Sequence, residues 1–267
     1  MRAALAVLAE PPQAGQRAYV SDLSVGELVL LDEVGYEPID LVHGAGAASW
    51  SPQAAAYAQG GDAWAWGLTH ALTAARHQIE QELASRHAAG VVAVHLDLHR
   101  HPGNLLTCTM VGTAVRRAAR TARAPHHPDH PFSTTLSAAD FHLLVRAGYV
   151  PAGMVVGAAV VGFASRTMSQ GLGLARQNAE LTDQTAALYA AREQAMTRLD
   201  ADARAFGADG VVSVSFTERP FTTVLVHAVE LLVVGTAVRR GPHGHVPLEP
   251  ALQLGLDDPA PDIFRHG

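Results

Sequence analysis

The chain has 267 residues, 48% hydrophobic and 16% charged, which are the values of a globular protein rather than a disordered or membrane-embedded one. Its formal charge is −6 and all 19 basic residues are arginine. That argues against a nucleic-acid binder with a broad basic surface and removes Schiff-base lysines, the P-loop lysine and Ser-Lys dyads. A single cysteine excludes an intrachain disulfide and a thiolate metal cluster, and it fits a reducing compartment.

Residues 1–20 carry Pro11, Pro12 and Gly15 without periodicity and read as a loose leader. The apolar residues 3–9 follow only Arg2 and are too short to span a bilayer, so a cytoplasmic protein is expected, with no membrane partner. Ser24 stands three residues before Glu27, a capping-box spacing, and Gly35 sits where a helix would end; a short helix is predicted over 25–34. L-S-A-A-D at 136–140 mirrors L-S-V-G-E at 23–27 and predicts a second over 138–147. Pro38 and Pro151 each begin an extended segment, and 39–45 and 152–162 read as the first strand of each half. Residues 50–66 hold Trp50, Tyr57, Trp64 and Trp66 and read as a loop whose aromatics anchor it to the core or to a neighbouring subunit.

Leu68, Leu72, Ala75, Ile79 and Leu83 follow helical spacing, as do Leu188, Ala191, Ala195, Leu199 and Phe206. Gly207 is a left-handed cap, and His87 takes that place in the first half. A strand pair follows each helix: 90–98 and 105–115, then 211–216 and 221–238 with a turn around Arg219 and Pro220. The architecture expected is α+β, with each half α-β-α-β-β. Its small three-stranded sheet has free edges that oligomerisation would satisfy. The domains are placed at 21–117 and 134–240, joined by a proline-spaced linker at 118–133 and followed by a flexible tail at 241–267.

The two halves are related by letters as well as by pattern. V-G-T-A-V-R-R occurs at 111–117 and again at 234–240. G-Y-E-P at 35–38 answers G-Y-V-P at 148–151, A-L-T-A-A-R at 71–76 answers A-L-Y-A-A-R at 187–192, and A-A-G-V-V at 88–92 answers A-D-G-V-V at 208–212. This is the signature of a duplicated domain. In this alignment the second copy carries four extra residues, about one turn, between Leu199 and Gly207.

With the repeat laid out, the second half resembles the YbjQ family, labelled heavy-metal-binding. The matching residues are A-R-E-Q-A at 191–195, A-R-A-F-G-A-D-G-V-V at 203–212 and G-T-A-V at 235–238. The first half keeps Ala75-Arg76, A-G-V-V at 89–92 and G-T-A-V at 112–115, so the resemblance covers 36–117 and 149–240. It implies two tandem β-α-β-β, dodecin-like domains that assemble into a ring, typically of five. The short helix before each first strand and the duplication depart from the single-domain pattern. Five chains placing one domain in each of two stacked rings, a pseudo-decamer, is one closed solution; three chains in a pseudo-hexamer is the other.

The label directs attention to metal ligands. His95, Asp97, His99 and His101 alternate in H-L-D-L-H-R-H, so a continuing strand places all four on one face, a workable chelate for a divalent ion such as zinc, nickel or copper. Alternation on the wet side of a half-buried strand gives the same pattern, and the second half has Ser215, Thr217 and Arg219 there. His126, His127, Asp129 and His130 in the linker and His243 and His245 in the tail are weaker chelates, lacking preorganisation. Cys108 reads as core packing. Arg76 and Arg192 recur in both copies and would line a ring interior, bind an anion or pair with a neighbouring chain. No G-x-S-x-G, H-E-x-x-H, P-loop or complete G-x-G-x-x-G is present. The expectation is a non-catalytic, ring-forming binding protein for a divalent metal or small ligand. The alternative is an assembly scaffold whose rings present linker and tail to a protein partner.

Overall fold

The computed structural model describes residues 19–49, 61–102, 105–118, 131–163, 176–222 and 227–241. They form a mixed α+β structure of two sheets and four helices. In chain order these are α1 (Val25–Glu33), β1 (Tyr36–Ser49), α2 (Gly61–Ser85), β2 (Gly90–His101), β3 (Leu105–Arg117), β4 (Phe132–Ser133), α3 (Ala138–Arg146), β5 (Tyr149–Phe163), α4 (Arg176–Ala205), β6 (Gly210–Thr222) and β7 (His227–Arg240).

Both short helices start where their caps predict. The Ser24 amide donates to the Glu27 carboxylate at 2.9 Å and the Glu27 amide donates back to Ser24 Oγ at 3.3 Å, a complete capping box. In α3 the Asp140 amide donates to Ser137 Oγ at 3.1 Å. Gly35 and Gly148 follow the helices at φ 82° and 84°, the left-handed turn that lets the chain reverse into a strand.

The sheets share one plan. Strand order is β1-β3-β2-β4 in the first and β5-β7-β6 in the second, antiparallel except for the short β2–β4 pairing. The hairpin's second strand is central in each, so β1 and β5 form one edge while β2 and β6 lie on the other side. Pro38 and Pro151 stand inside the first strands at a register shift, tolerable because both strands are at an edge. A second pair of bulges falls at Ala93 (φ 55°) and Ser213 (φ 52°), left-handed positions that neither residue type favours.

α2 and α4 each cover one face of a sheet. Leu68, Leu72, Ala75, Ile79 and Leu83 are all buried, as are Ala191, Ala195 and Leu199. Burial of a leucine or isoleucine side chain contributes about 1.5–3 kcal/mol. The helices approach closely because β1 and β5 offer glycine. A Cβ at Gly44 would lie 2.1 Å from the Ala75 carbonyl oxygen, and one at Gly157 2.0 Å from that of Ala195.

Those contacts correct the helix alignment. Gly44 faces Ala75 and Ile79 where Gly157 faces Ala195 and Leu199, and the helices end at His87 (φ 50°) and Gly207 (φ 61°). Ile79 to His87 and Leu199 to Gly207 span equal lengths, so no turn is inserted between Leu199 and Gly207. The counterpart of Arg192 is Leu72, and that of Arg76 is Met196. A four-residue slip nearly preserves helical phase, so alanine-rich letters match in either register.

Two other expectations change. β6 runs through Arg219 and Pro220 to Thr222, with Arg219 opposite Glu230, so the turn lies beyond Thr222. α2 begins at Gly61, which puts Trp64 and Trp66 in a helix rather than a loop; residues 50–60 lie outside the described residues. The end of the expected linker is also ordered. Phe132 and Ser133 pair in parallel with Gly90 and Val91, and Phe132 packs in a buried cluster with Tyr36 and Phe141. The rings of Tyr36 and Phe141 meet edge to face at 5.2 Å between centroids.

Candidate functional site

The face of the second sheet turned away from α4 packs against the first half. Met154, Ala158, Leu232 and Val234 join one core with Leu72, Val94, Leu98 and Met110. β2 contributes Val94 and Leu98 because α2 covers only part of its sheet, leaving the helix-side face of β2 for the second sheet to close.

Polar groups fix the register of this junction. Glu230, 1% exposed in the middle of an apolar strand, is ion-paired with Arg100 at the end of β2. Arg219 Nη1 donates to the Leu98 carbonyl at 3.0 Å. On the other side Arg76 pairs with Asp202 at 3.1 Å, and Asp202 also accepts the Val156 amide at 3.0 Å. Arg198 donates to the Ala158 carbonyl. Asp202 and Arg198 thereby satisfy the outer edge of β5 with side chains, a need that an edge strand always has.

Between these contacts lies a cavity of about 610 Å³, walled by Leu72, Met110, Met154, Val156 and Ala158 and rimmed by Trp66, Thr69, Arg76, Arg198 and Asp202. The size suits a small ligand. Its two cations are already engaged, Arg76 by the Asp202 carboxylate and Arg198 by a backbone carbonyl, so the cavity has apolar walls and a rim whose charged groups have partners. Arg76 therefore belongs to an ion pair between the halves. Arg192 is exposed, its guanidinium 6.0 Å from the Phe216 ring centroid. The two arginines do not meet.

The histidine ladder forms as its alternation predicts. His95, Asp97, His99 and His101 all lie exposed on the face of β2 away from α2. They do not converge. His99 Nε2 stands 4.0 Å from an Asp97 oxygen, and His101 Nε2 is 2.9 Å from Thr107 Oγ1. Residues two apart on a strand are about 7 Å apart, so four in a row cannot surround one ion. Among the described residues no three His, Cys, Asp or Glu side chains gather into a metal site. The linker and tail histidines, at 126, 127, 130, 243 and 245, lie outside the described residues. Cys108 is fully buried, and burial, with Asp97 nearby, pushes its thiol up to about 12.

The pairing of Glu230 with Arg100 and of Asp202 with Arg76 was not anticipated from the sequence. Glu230 had a legible signal, a lone carboxylate within H-A-V-E-L-L-V-V. Asp202 had none, being one of several acids on a helix. Among the described residues no helix is long and apolar enough to cross a membrane.

A family model described as "Putative heavy-metal-binding", the YbjQ type, matches residues 133–240. The encapsulin nanocompartment protein Rv1762c of Mycobacterium tuberculosis is 34% identical over 248 residues, which covers 91% of this chain and 93% of that protein. The chain belongs to the family of that mycobacterial protein, and its second half is a YbjQ-like domain.

Proposed function

We propose that the protein is a non-catalytic, cytoplasmic assembly component: two tandem YbjQ-type, dodecin-like domains whose copies join into a ring. The observation that carries this is β6. It ends its sheet with no strand beyond it among the described residues, and beside it Val214 and Phe216 are 36% and 51% exposed. An open strand edge flanked by apolar side chains is a site for a further chain. The name of the mycobacterial relative, a nanocompartment protein, supports an assembly role. Native mass spectrometry of the untagged protein at micromolar concentration tests it. A defined multi-chain species is expected, and a single 28.1 kDa chain at every concentration overturns the reading. The tail at 241–267 would serve a protein partner; its removal should leave the ring intact and abolish that partner's binding.

A second reading, binding of zinc, nickel or copper, is supported by the four donors on one exposed face and by the family description. One chain supplies too few converging ligands, so an ion would need donors from a second copy. Elemental analysis of purified protein tests it. Metal that disappears in a His95→Ala, His99→Ala variant sustains the reading, and absence of metal ends it.

A further inference from the structure

Both halves anchor the segment before their first helix in the same way. Thr236 of β7 holds Thr134 at 2.9 Å and accepts the Thr135 amide at 3.2 Å. Thr113 of β3, the matching residue of the repeat, holds Ser21 at 3.2 Å and donates to Asp22 at 2.5 Å. Aligned on the shared Leu-Ser before each helix, Tyr19 corresponds to Phe132, Val20 to Ser133 and Ser21 to Thr134.

The fates of the two segments differ. Residues 132–136 lie along β2: the Phe132 amide donates to Ala89 at 3.1 Å and the Thr134 amide to Val91 at 3.0 Å. In return the Ala93 bulge directs two amides outward, Ala93 to Leu136 at 2.9 Å and Val94 to Thr134 at 3.0 Å. Phe132 and Ser133 are 1% and 9% exposed there. Tyr19 and Val20, which precede the anchored Ser21 and Asp22, are 45% and 60% exposed. β6 carries the matching bulge at Ser213. Beside it Val214 and Phe216 occupy the places of Val94, 4% exposed, and Leu96, which packs on the core. On α4 the exposed Tyr189 and Met196 take the positions that Thr69 and Arg76 fill at the junction.

We propose that the junction within the chain is repeated between chains: residues 19–23 of a second copy add in parallel to the β6 edge, as residues 132–136 add to β2. The predicted register sets Tyr19 against Gly210 and Val20 against Val211. The amides of Ser213 and Val214 then find the carbonyls of Leu23 and Ser21. Two half-surfaces left exposed on one molecule are the complementary parts of a contact whose completed form the molecule already contains. The contact is head to tail, so it closes into a ring or propagates. It keeps both sheets of a chain consecutive in one ring, which is compatible with three chains and six sheets and does not generate two stacked five-membered rings.

This inference rests on the self-assembly reading, and complementation separates the two. A head variant (Tyr19→Asp, Val20→Asp) and a tail variant (Val214→Asp, Phe216→Asp) each change side chains exposed in the single chain. Each should weaken association at least about tenfold and run as a single chain. Mixed, they should give a 1:1 two-chain complex, because one intact head still meets one intact tail. If both variants assemble like the wild type, the junction proposal falls while self-assembly stands; a wild-type protein that is always monomeric ends both. Hydrogen exchange on the unaltered assembly gives a measurement independent of variant folding. Slow exchange at Ser21, Ser213 and Val214 that is lost on dilution supports the register, and fast exchange in the intact assembly overturns it.

Discussion

On the first sheet the face turned away from α2 is built by His43, Ala45 and Ala47 of β1 and Thr109 and Val111 of β3. On the second, the same positions hold Val156, Ala158, Val160, Leu232 and Val234. The first set is exposed apart from half-buried Val111; the second is buried apart from half-buried Val156. Bulges, caps and glycine contacts are alike in the two sheets, so backbone geometry does not choose these side chains. What lies opposite does. The second face is sealed within the chain as it folds and can be made of valine and leucine. The first faces solvent in a single molecule, where alanine, threonine and histidine avoid a large exposed apolar patch.

Tests of this contrast run from shared features to divergent ones. The largest effect falls on what the halves hold in common. Gly157→Ala drives a methyl into the Ala195 carbonyl and Gly44→Ala does the same at Ala75, so each should destabilise by about 3 kcal/mol in urea melts. A large loss in one and none in the other would break the equivalence of the two helix contacts. Next comes the junction. Glu230→Ala removes the buried carboxylate that pairs with Arg100 and should lose roughly 2–3 kcal/mol, less than a fully buried pair because Arg100 is partly exposed. Thr107→Ala, at the same place in the first sheet, should lose under about 0.5 kcal/mol. Equal losses would mean that the buried pair is not what distinguishes the faces.

The threonine anchors should behave as twins: Thr236→Val and Thr113→Val are each expected to lose about 1–2 kcal/mol by the same melts. The smallest effects are in titration. Cys108 is a thiol raised from 9.0 to about 12, so the unfolded chain releases its proton first as pH rises. Its contribution to stability is complete below pH 9 and is lost between 9 and about 12, and a Cys108→Ala variant should show a shallower alkaline decline. At pH 8 the thiol should resist maleimide until the protein unfolds. Glu27 shifts the other way, lowered first by the Ser24 amide and then by its hydroxyl, so its contribution is present above the ordinary carboxylate range and fades as pH falls through the lowered value. Glu27→Gln should flatten the acid limb slightly.

How much could be read beforehand differs from element to element. The Ser24–Glu27 box, the cap at Gly207 with its unusual counterpart His87, and the buried faces of both long helices were legible because each is a pattern within a few turns of chain. The histidine ladder was legible as an alternation but not as a site: alternation places four side chains on one face and says nothing about convergence. Arg76 was picked out by a matching hexapeptide, yet its partner Asp202 is 126 positions away and its true counterpart is Met196. Letters in an alanine-rich helix align equally well one turn out of place, and only the contact with a glycine on the strand fixes the register.

By itself the sequence determined the order of the main helices and strands and the caps of the two short helices, since those follow from capping, backbone preference and periodicity over short spans. The tertiary structure decided which of the two equivalent sheet faces is sealed, which edge is occupied by residues 132–136, and which charged side chains meet as pairs. These depend on groups from about forty residues apart, as Phe132 and Ala89, to more than a hundred, as Arg76 and Asp202, being brought within about 3 Å, and local patterning does not say which groups will meet at that range.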